Sequence, residues 1–167
     1  MHKLACCLCG TCKNRVVYRK KEFDIVSCLS CNLVMIAPFP NEKEIREIYG
    51  ENYYNTWGDL RQANDSLRAM KLSTFRIKLE QIERYIEKGR VLDIGCASGF
   101  FLDAAVERGW DAYGVELSSF SAEIARKKYG DKVINGTLHE AGYDDRFFQA
   151  VDMSDLLEHV SSPREIL

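Results

Sequence analysis

The chain has 167 residues, 46% of them hydrophobic and 29% charged, which suits one ordinary α/β domain with at most a small appended module and excludes a disordered tail or a fibre. Its formal charge of -2 gives it no bulk attraction for nucleic acid or anionic lipid. No apolar run reaches the roughly 20 residues that cross a bilayer, and Met1-His2-Lys3 leads straight into cysteines without the apolar core of a secretory signal, so no membrane association and a cytoplasmic location are expected.

Residues 1–40 form a first module. Six of the seven cysteines (Cys6, Cys7, Cys9, Cys12, Cys28 and Cys31) lie within it, and Cys96 stands alone. In a reducing compartment such thiols serve a metal better than a disulfide framework. Cys6-x-x-Cys9-Gly10 and Cys28-x-x-Cys31-Asn32 each place two thiolates two residues apart, followed by a residue type that tolerates a positive φ. Two such knuckles give the four ligands of a closed, structural Zn²⁺ site: Cys6, Cys9, Cys28 and Cys31. Cys6, Cys9 and Cys12 also spell the opening of an iron–sulfur run, but position 16 is Val16 and no cysteine-proline pair follows, so zinc is favoured. Whether Cys7 or Cys12 replaces one of the four is left open.

Arg15-Val16-Val17-Tyr18 and Phe23-Asp24-Ile25-Val26 read as a small hairpin, and Pro38 and Pro40 stop the apolar run Leu33 to Ile36. Lys13, Arg15, Arg19, Lys20 and Lys21 make the module formally basic. No aromatic stacking platform accompanies them, so nucleic-acid binding is not expected.

Residues 41–88 form a linking segment. Asn41 ahead of Glu42, Glu44, Ile45 and Ile48 predicts a capped helix ending near Gly50. Tyr53, Tyr54, Trp57 and Gly58 fall in an aromatic loop that packs on or covers the domain. Leu67, Met70, Leu72, Phe75, Leu79, Ile82, Tyr85 and Ile86 then recur at helical spacing, predicting a helix from Ser66 to Lys88 stopped by Gly89.

From residue 89 to 167 the pattern becomes βαβα: strand Val91–Ile94, helix Phe100–Arg108, strand Ala112–Val115, helix Ser119–Tyr129. Strands at Lys132–Ile134 and Ala150–Met153 follow, and Leu156, Leu157 and Val160 begin another helical turn. This alternation predicts a Rossmann-like, doubly wound parallel sheet with ligand chemistry at the carboxyl ends of its strands. His139 and Glu140 are expected in a solvated loop.

The turn Gly95-Cys96-Ala97-Ser98-Gly99 lets backbone N–H groups at a helix N-terminus approach a ligand, and Glu116, ending the next strand 21 residues after Gly95, can accept hydrogen bonds from two ribose hydroxyls. Together they specify an adenosine-bearing ligand. The turn lacks the G-x-G-x-x-G of nicotinamide and flavin binders, which disfavours an oxidoreductase. Asp93 with Gly95-x-x-x-Gly99 resembles the first motif of class I S-adenosylmethionine-dependent methyltransferases, with Ala97 in place of a middle glycine. The added methyl is tolerable there if φ stays negative. The run from Cys28 through Val34, Pro38 and Pro40 to Tyr49 and Tyr53-Tyr54 resembles methyltransferases that carry an N-terminal zinc-binding segment.

That resemblance implies an S-adenosylmethionine-dependent methyltransferase acting on a small-molecule acceptor. It implies that Asp93, Gly95, Cys96, Ala97 and Gly99 hold the methionine part, Glu116 and Leu117 the ribose, and Thr137 and Leu138 the adenine. It also implies that Ser154 and Asp155 face the cofactor. Glu158 and His159 are candidate catalytic groups, as base or orienting residue, with an exposed helix residue and a packed polar end as the structural alternative. Cys96 reads as a small packing residue despite its helix-terminal position.

The family adds further strands beyond the fourth, so the chain is expected to hold only the first half of the sheet, about four strands. Its fourth strand is then an exposed edge that another copy could complete. A fragment of this kind could be inactive. The alternative is a noncatalytic zinc-ribbon scaffold protein with a degenerate cofactor domain.

Overall fold

The computed structural model describes residues 4–48 and 65–167. Tyr49, Gly50 and the aromatic segment Tyr53, Tyr54, Trp57 and Gly58 lie outside the described residues. Two compact units emerge, one comprising Met1–Ile45 with Leu157–Leu167, the other Arg46–Leu156. No described helix is long and apolar enough to cross a membrane.

In the first unit β1 (Asn14–Arg19), β2 (Asp24–Cys28) and β3 (Val34–Ala37) form an antiparallel sheet in the order β1-β2-β3. Val26 of the central strand is buried and lies opposite Val16 and Met35. β3 is an addition to the expected hairpin. The second cysteine knuckle is itself the turn that returns the chain: Asn32 takes φ 61° and donates to the Cys28 carbonyl at 3.0 Å, while Cys28 donates to the Leu33 carbonyl at 2.9 Å. The apolar run before Pro38 therefore pairs with β2. Helix α1 (Glu42–Ile48) starts at Asn41, whose Oδ1 accepts from the Glu44 N–H at 3.0 Å while the Glu44 carboxylate accepts from the Asn41 N–H at 2.7 Å.

The second unit begins with α2 (Asp65–Ile82), which is shorter than the pattern to Lys88 suggests. Past Ile82 the chain makes one further turn, with the Tyr85 and Ile86 N–H groups donating to the Ile82 carbonyl at 2.9 and 3.3 Å, and the Glu83 carboxylate accepts from Arg108 Nε at 2.9 Å and Trp110 Nε1 at 3.0 Å. The Arg108 guanidinium holds that carboxyl down at about 2, against the opposing effect of burial.

Strands β4 (Arg90–Ile94), β5 (Asp111–Glu116), β6 (Val133–Asn135) and β7 (Ala150–Asp152) form a parallel sheet in the order β6-β5-β4-β7. Helices α3 (Phe100–Glu107) and α4 (Ser119–Tyr129) make the crossovers. This is the expected Rossmann-like α/β architecture, with β4 central. β7 closes one side of the described sheet, and its Val151 is exposed.

The core gathers Val91, Phe101, Leu102, Ala104, Ala105, Trp110, Ala112, Ala125 and Val133 with Leu72 and Leu79 of α2. Full burial of a side chain such as Leu79 or Phe101 contributes about 1.5–3 kcal/mol. Asp103 on α3 is a buried acid held by Arg68 of α2 at 2.7 Å and by Lys128 and Tyr129 of α4, so one carboxylate ties three helices together. A short helix α5 (Leu138–Ala141) replaces the loop expected at His139 and Glu140, and both residues are exposed. Its reason is a capping box: the Thr137 hydroxyl accepts from the Glu140 N–H at 3.2 Å, and the Glu140 carboxylate accepts from the Thr137 N–H at 2.7 Å. Helix α6 (Pro163–Ile166) closes the chain within the first unit.

Candidate functional site

The first unit brings the sulfur atoms of Cys6, Cys9, Cys28 and Cys31 within 4.8 Å of one another. Cys6 and Cys31 sulfurs lie 3.6 Å apart, as do those of Cys9 and Cys28. Each of these close sulfur pairs joins one knuckle to the other. The first knuckle is closed by the Gly10 N–H donating to the Cys6 carbonyl at 2.8 Å, with Gly10 at φ 73°. Burial raises the Cys28 thiol, but N–H groups of Cys31 and Ser30 outweigh it and leave it at about 6, within reach of the thiolate form. Cys7 and Cys12 stand outside the group of four. Four convergent sulfur donors suit a tetrahedral ion of borderline or soft character.

The second unit carries the strand, turn and acid. β4 ends at Ile94, and the chain turns through Gly95 (φ 84°), Ala97 (φ 45°) and Gly99 (φ 89°) into α3. The N–H groups of Gly95 and Cys96 donate to the Val115 carbonyl at 2.8 and 3.2 Å, pinning the turn to β5. Glu116 closes β5 and is buried, with Oε2 accepting from the Ala97 N–H at 2.8 Å and Oε1 from the Ser118 N–H at 2.7 Å. A carboxylate has about four acceptor positions, so capacity beyond these N–H groups is left for hydroxyls. The Ser98 hydroxyl, in the same turn, is a buried polar atom without a partner among the described residues.

Ala97 departs from the expectation of negative φ. Its N–H is drawn to Glu116, which sets a left-handed backbone that costs an alanine about 1–2 kcal/mol. Ala97→Gly, after allowing for the greater freedom of glycine in the unfolded chain, is expected to stabilise the second unit by about 0.5–1 kcal/mol. A thermal melt should rise by about 1–4 °C. A fall would show that the methyl group packs favourably enough to offset the strain.

Cys96 is a core residue. Its thiol is pushed far up, first by burial and then by Asp93 and Glu116, so the helix-terminal lowering does not operate. The residue it rests on was not singled out in the sequence: a Cβ at Gly114 would lie 2.6 Å from the Cys96 sulfur. Only the absence of a side chain there lets the turn sit against β5.

Asp93 is buried at the end of β4, in register with Gly114 of β5 and Asp152 of β7. Its carboxyl is pushed well above the usual range by burial, then by Asp152 and Glu116, while Lys78 acts in the opposite direction. Asn135, also missed, donates to the Glu116 carbonyl at 2.8 Å and the Leu117 carbonyl at 3.3 Å, clamping the chain just past β5. Thr137 caps α5 and Leu138 is its first residue. Ser154 bonds Asp152 and Lys78, and Asp155 is exposed with φ 53°. Glu158 and His159 are exposed on the turn Leu157–His159 of the first unit. The carboxyl ends of β4, β5 and β7 thus gather acids that suit a ligand bearing hydroxyls and positive charge.

Residues 66–167 match the family described as "Methyltransferase domain". Over 121 residues the chain is 30% identical to the mitochondrial ubiquinone biosynthesis O-methyltransferase of Schizosaccharomyces pombe, covering 67% of this chain and 44% of that protein. Over 120 residues it is 25% identical to the ubiquinone biosynthesis O-methyltransferase of Hydrogenovibrio crunogenus, covering 68% of this chain and 48% of the other. It therefore spans less than half the length of these curated relatives. Among solved structures, a SAM-dependent methyltransferase from Thiobacillus denitrificans in complex with S-adenosyl-L-homocysteine is similar with 25% identity and a TM-score of 0.38, over 60% of this chain and 42% of that one.

Proposed function

This chain belongs to the methyltransferase-domain family, and from that premise we propose that it binds S-adenosylmethionine and directs its methyl group to an oxygen of a small-molecule acceptor. The carrying observation is the join between Glu116 and the Gly95–Gly99 turn through the Ala97 N–H. The residues present fit the donor: a Ser98 hydroxyl in the turn without a partner among the described residues, spare acceptor positions on Glu116, and an exposed, side-chain-free Gly95. The oxygen acceptor rests on the names of the relatives, both O-methyltransferases.

In this reading Glu116 takes the two ribose hydroxyls and the turn supports the methionine portion. Leu117, Thr137 and Leu138 border the adenine, with backbone and apolar contact serving there. Ser154 and Asp155 line the far end, beyond β4. S-adenosylmethionine, when bound, supplies a transferable methyl on a positively charged sulfur. The chain's own contribution is orientation. The Ala97 N–H bond to Glu116 fixes acid and turn relative to one another, and proximity carries much of the rate.

For the first unit we propose a structural Zn²⁺ held by Cys6, Cys9, Cys28 and Cys31. The four-sulfur donor set leaves no open position for chemistry.

Isothermal titration of the zinc-loaded chain with S-adenosylhomocysteine tests the donor reading. One site per chain is expected, with no heat from NADH. A folded sample silent to S-adenosylhomocysteine would contradict it.

A further inference from the structure

Lys78 reaches from α2 to the end of β7. Its Nζ donates to the Ser154 hydroxyl at 2.6 Å, and that hydroxyl donates in turn to Asp152 Oδ1 at 2.8 Å. The Ser154 N–H secures the other oxygen, Asp152 Oδ2, at 3.3 Å. Asp152 is the register partner of Asp93 on β4, and Glu116 ends β5 on the other side. Three acids thus crowd the strand ends, and the lysine stands at one side of them. The proposed reaction has no evident use for it. The lysine is half-buried, and its ammonium lies 5.6 Å from the centre of the Phe75 ring.

Topology says which part of the donor this lysine faces. In sheets of this kind a ligand lies across the carboxyl ends of the strands. If the nucleoside sits on the Glu116 side of β4, as proposed above, the rest of the donor runs toward the β7 side, where Asp152, Ser154 and Lys78 are joined. The donor and its demethylated product differ there by one methyl and one positive charge at sulfur. Carboxylates without a counter-charge would hold the charged form tightly, and a cation beside them reduces that preference.

We infer that Lys78, through Ser154 and Asp152, is a positioning residue that sets the balance between the charged methyl donor and its uncharged product. Attraction to the sulfonium is strongest before transfer and fades as the charge leaves sulfur, so excess attraction would slow the reaction. Lys78 moderates it. The inference rests on the donor-binding reading above.

The test compares affinities of the full chain for S-adenosylmethionine, S-adenosylhomocysteine and sinefungin, whose amine carries a charge near the sulfur position. In Lys78→Met the preference for S-adenosylmethionine over S-adenosylhomocysteine should rise about five-fold, and sinefungin should follow S-adenosylmethionine. Lys78→Arg should keep the wild-type ratio. Lys78→Gln gives a second neutral variant should the methionine form fail to fold, and it should behave as Lys78→Met does. A purely structural lysine would weaken all three ligands alike, and an unchanged ratio in the folded neutral variants overturns the inference while leaving donor binding intact. A wild-type chain that binds none of the three overturns both.

Discussion

Glu116→Ala should lose at least about a hundredfold in affinity for S-adenosylhomocysteine, because two hydrogen bonds to a charged acceptor vanish together, each contributing about 1.5–3 kcal/mol. The effect has a second origin. Glu116 also anchors the Ala97 and Ser118 N–H groups, so its removal frees the turn that the ligand must meet. Glu116→Gln keeps the size but exchanges one acceptor for a donor, leaving one of those N–H groups facing another donor. A loss of about tenfold or more is expected. Glu123→Gln, on the exposed face of α4, serves as a control without effect. Glu116→Ala binding within about threefold of wild type would remove the acid from the site.

The pH dependence follows the same residue. Burial raises the Glu116 carboxyl above its ordinary value of 4.5, against the lowering effect of the N–H groups of Ser118, Ala97 and Leu117. The carboxylate form accepts the ribose hydroxyls, so affinity should be full above the raised value and fall as pH drops through it. Folding stability has the opposite sign. Between 4.5 and the raised value the folded chain binds more protons than the unfolded one, so ionisation of Glu116 lowers stability as pH rises across that window. Glu116→Gln should abolish that part of the slope.

If the four cysteines hold zinc as proposed, its removal should have the largest effect on the fold. Structural zinc sites of this ligand type contribute about 10–16 kcal/mol of apparent binding energy at neutral pH, more than a three-stranded sheet with exposed Val16, Val17, Tyr18 and Val34 can supply by burial. One zinc per chain is expected by metal analysis. Chelation or Cys28→Ser should collapse the amide dispersion of Cys6–Ala37, whereas Cys7→Ser and Cys12→Ser should retain the metal. Persistence of the β1-β2-β3 signals after complete chelation would show a sheet that stands without an ion.

The elements that carry the site were legible because their causes are local. Val91, Leu92 and Ile94 supply the apolar side chains a central parallel strand requires, broken only by Asp93 near its end, and the small residues after them read as a tight turn. The cysteine spacing named the same four thiols that the fold brings together. What escaped depended on partners distant in the chain. β3 exists because β2 offers it an edge, and Glu83, just past α2, finds its partners in Arg108 and Trp110. The φ of Ala97 is set by a carboxylate 19 residues away, and Gly114 matters only because Cys96 folds onto it. Helix α5 is different: Thr137-Leu138-His139-Glu140 is a capping box, visible in the sequence as it stands.

A crystal of the chain grown with S-adenosylhomocysteine is the most direct measurement. Both ribose hydroxyls should lie within hydrogen-bond reach of the Glu116 carboxylate, with the amino-acid end over the Gly95–Gly99 turn. Density for the nucleoside at any other place on the second unit, leaving Glu116 bonded only to Ala97 and Ser118, would contradict the account.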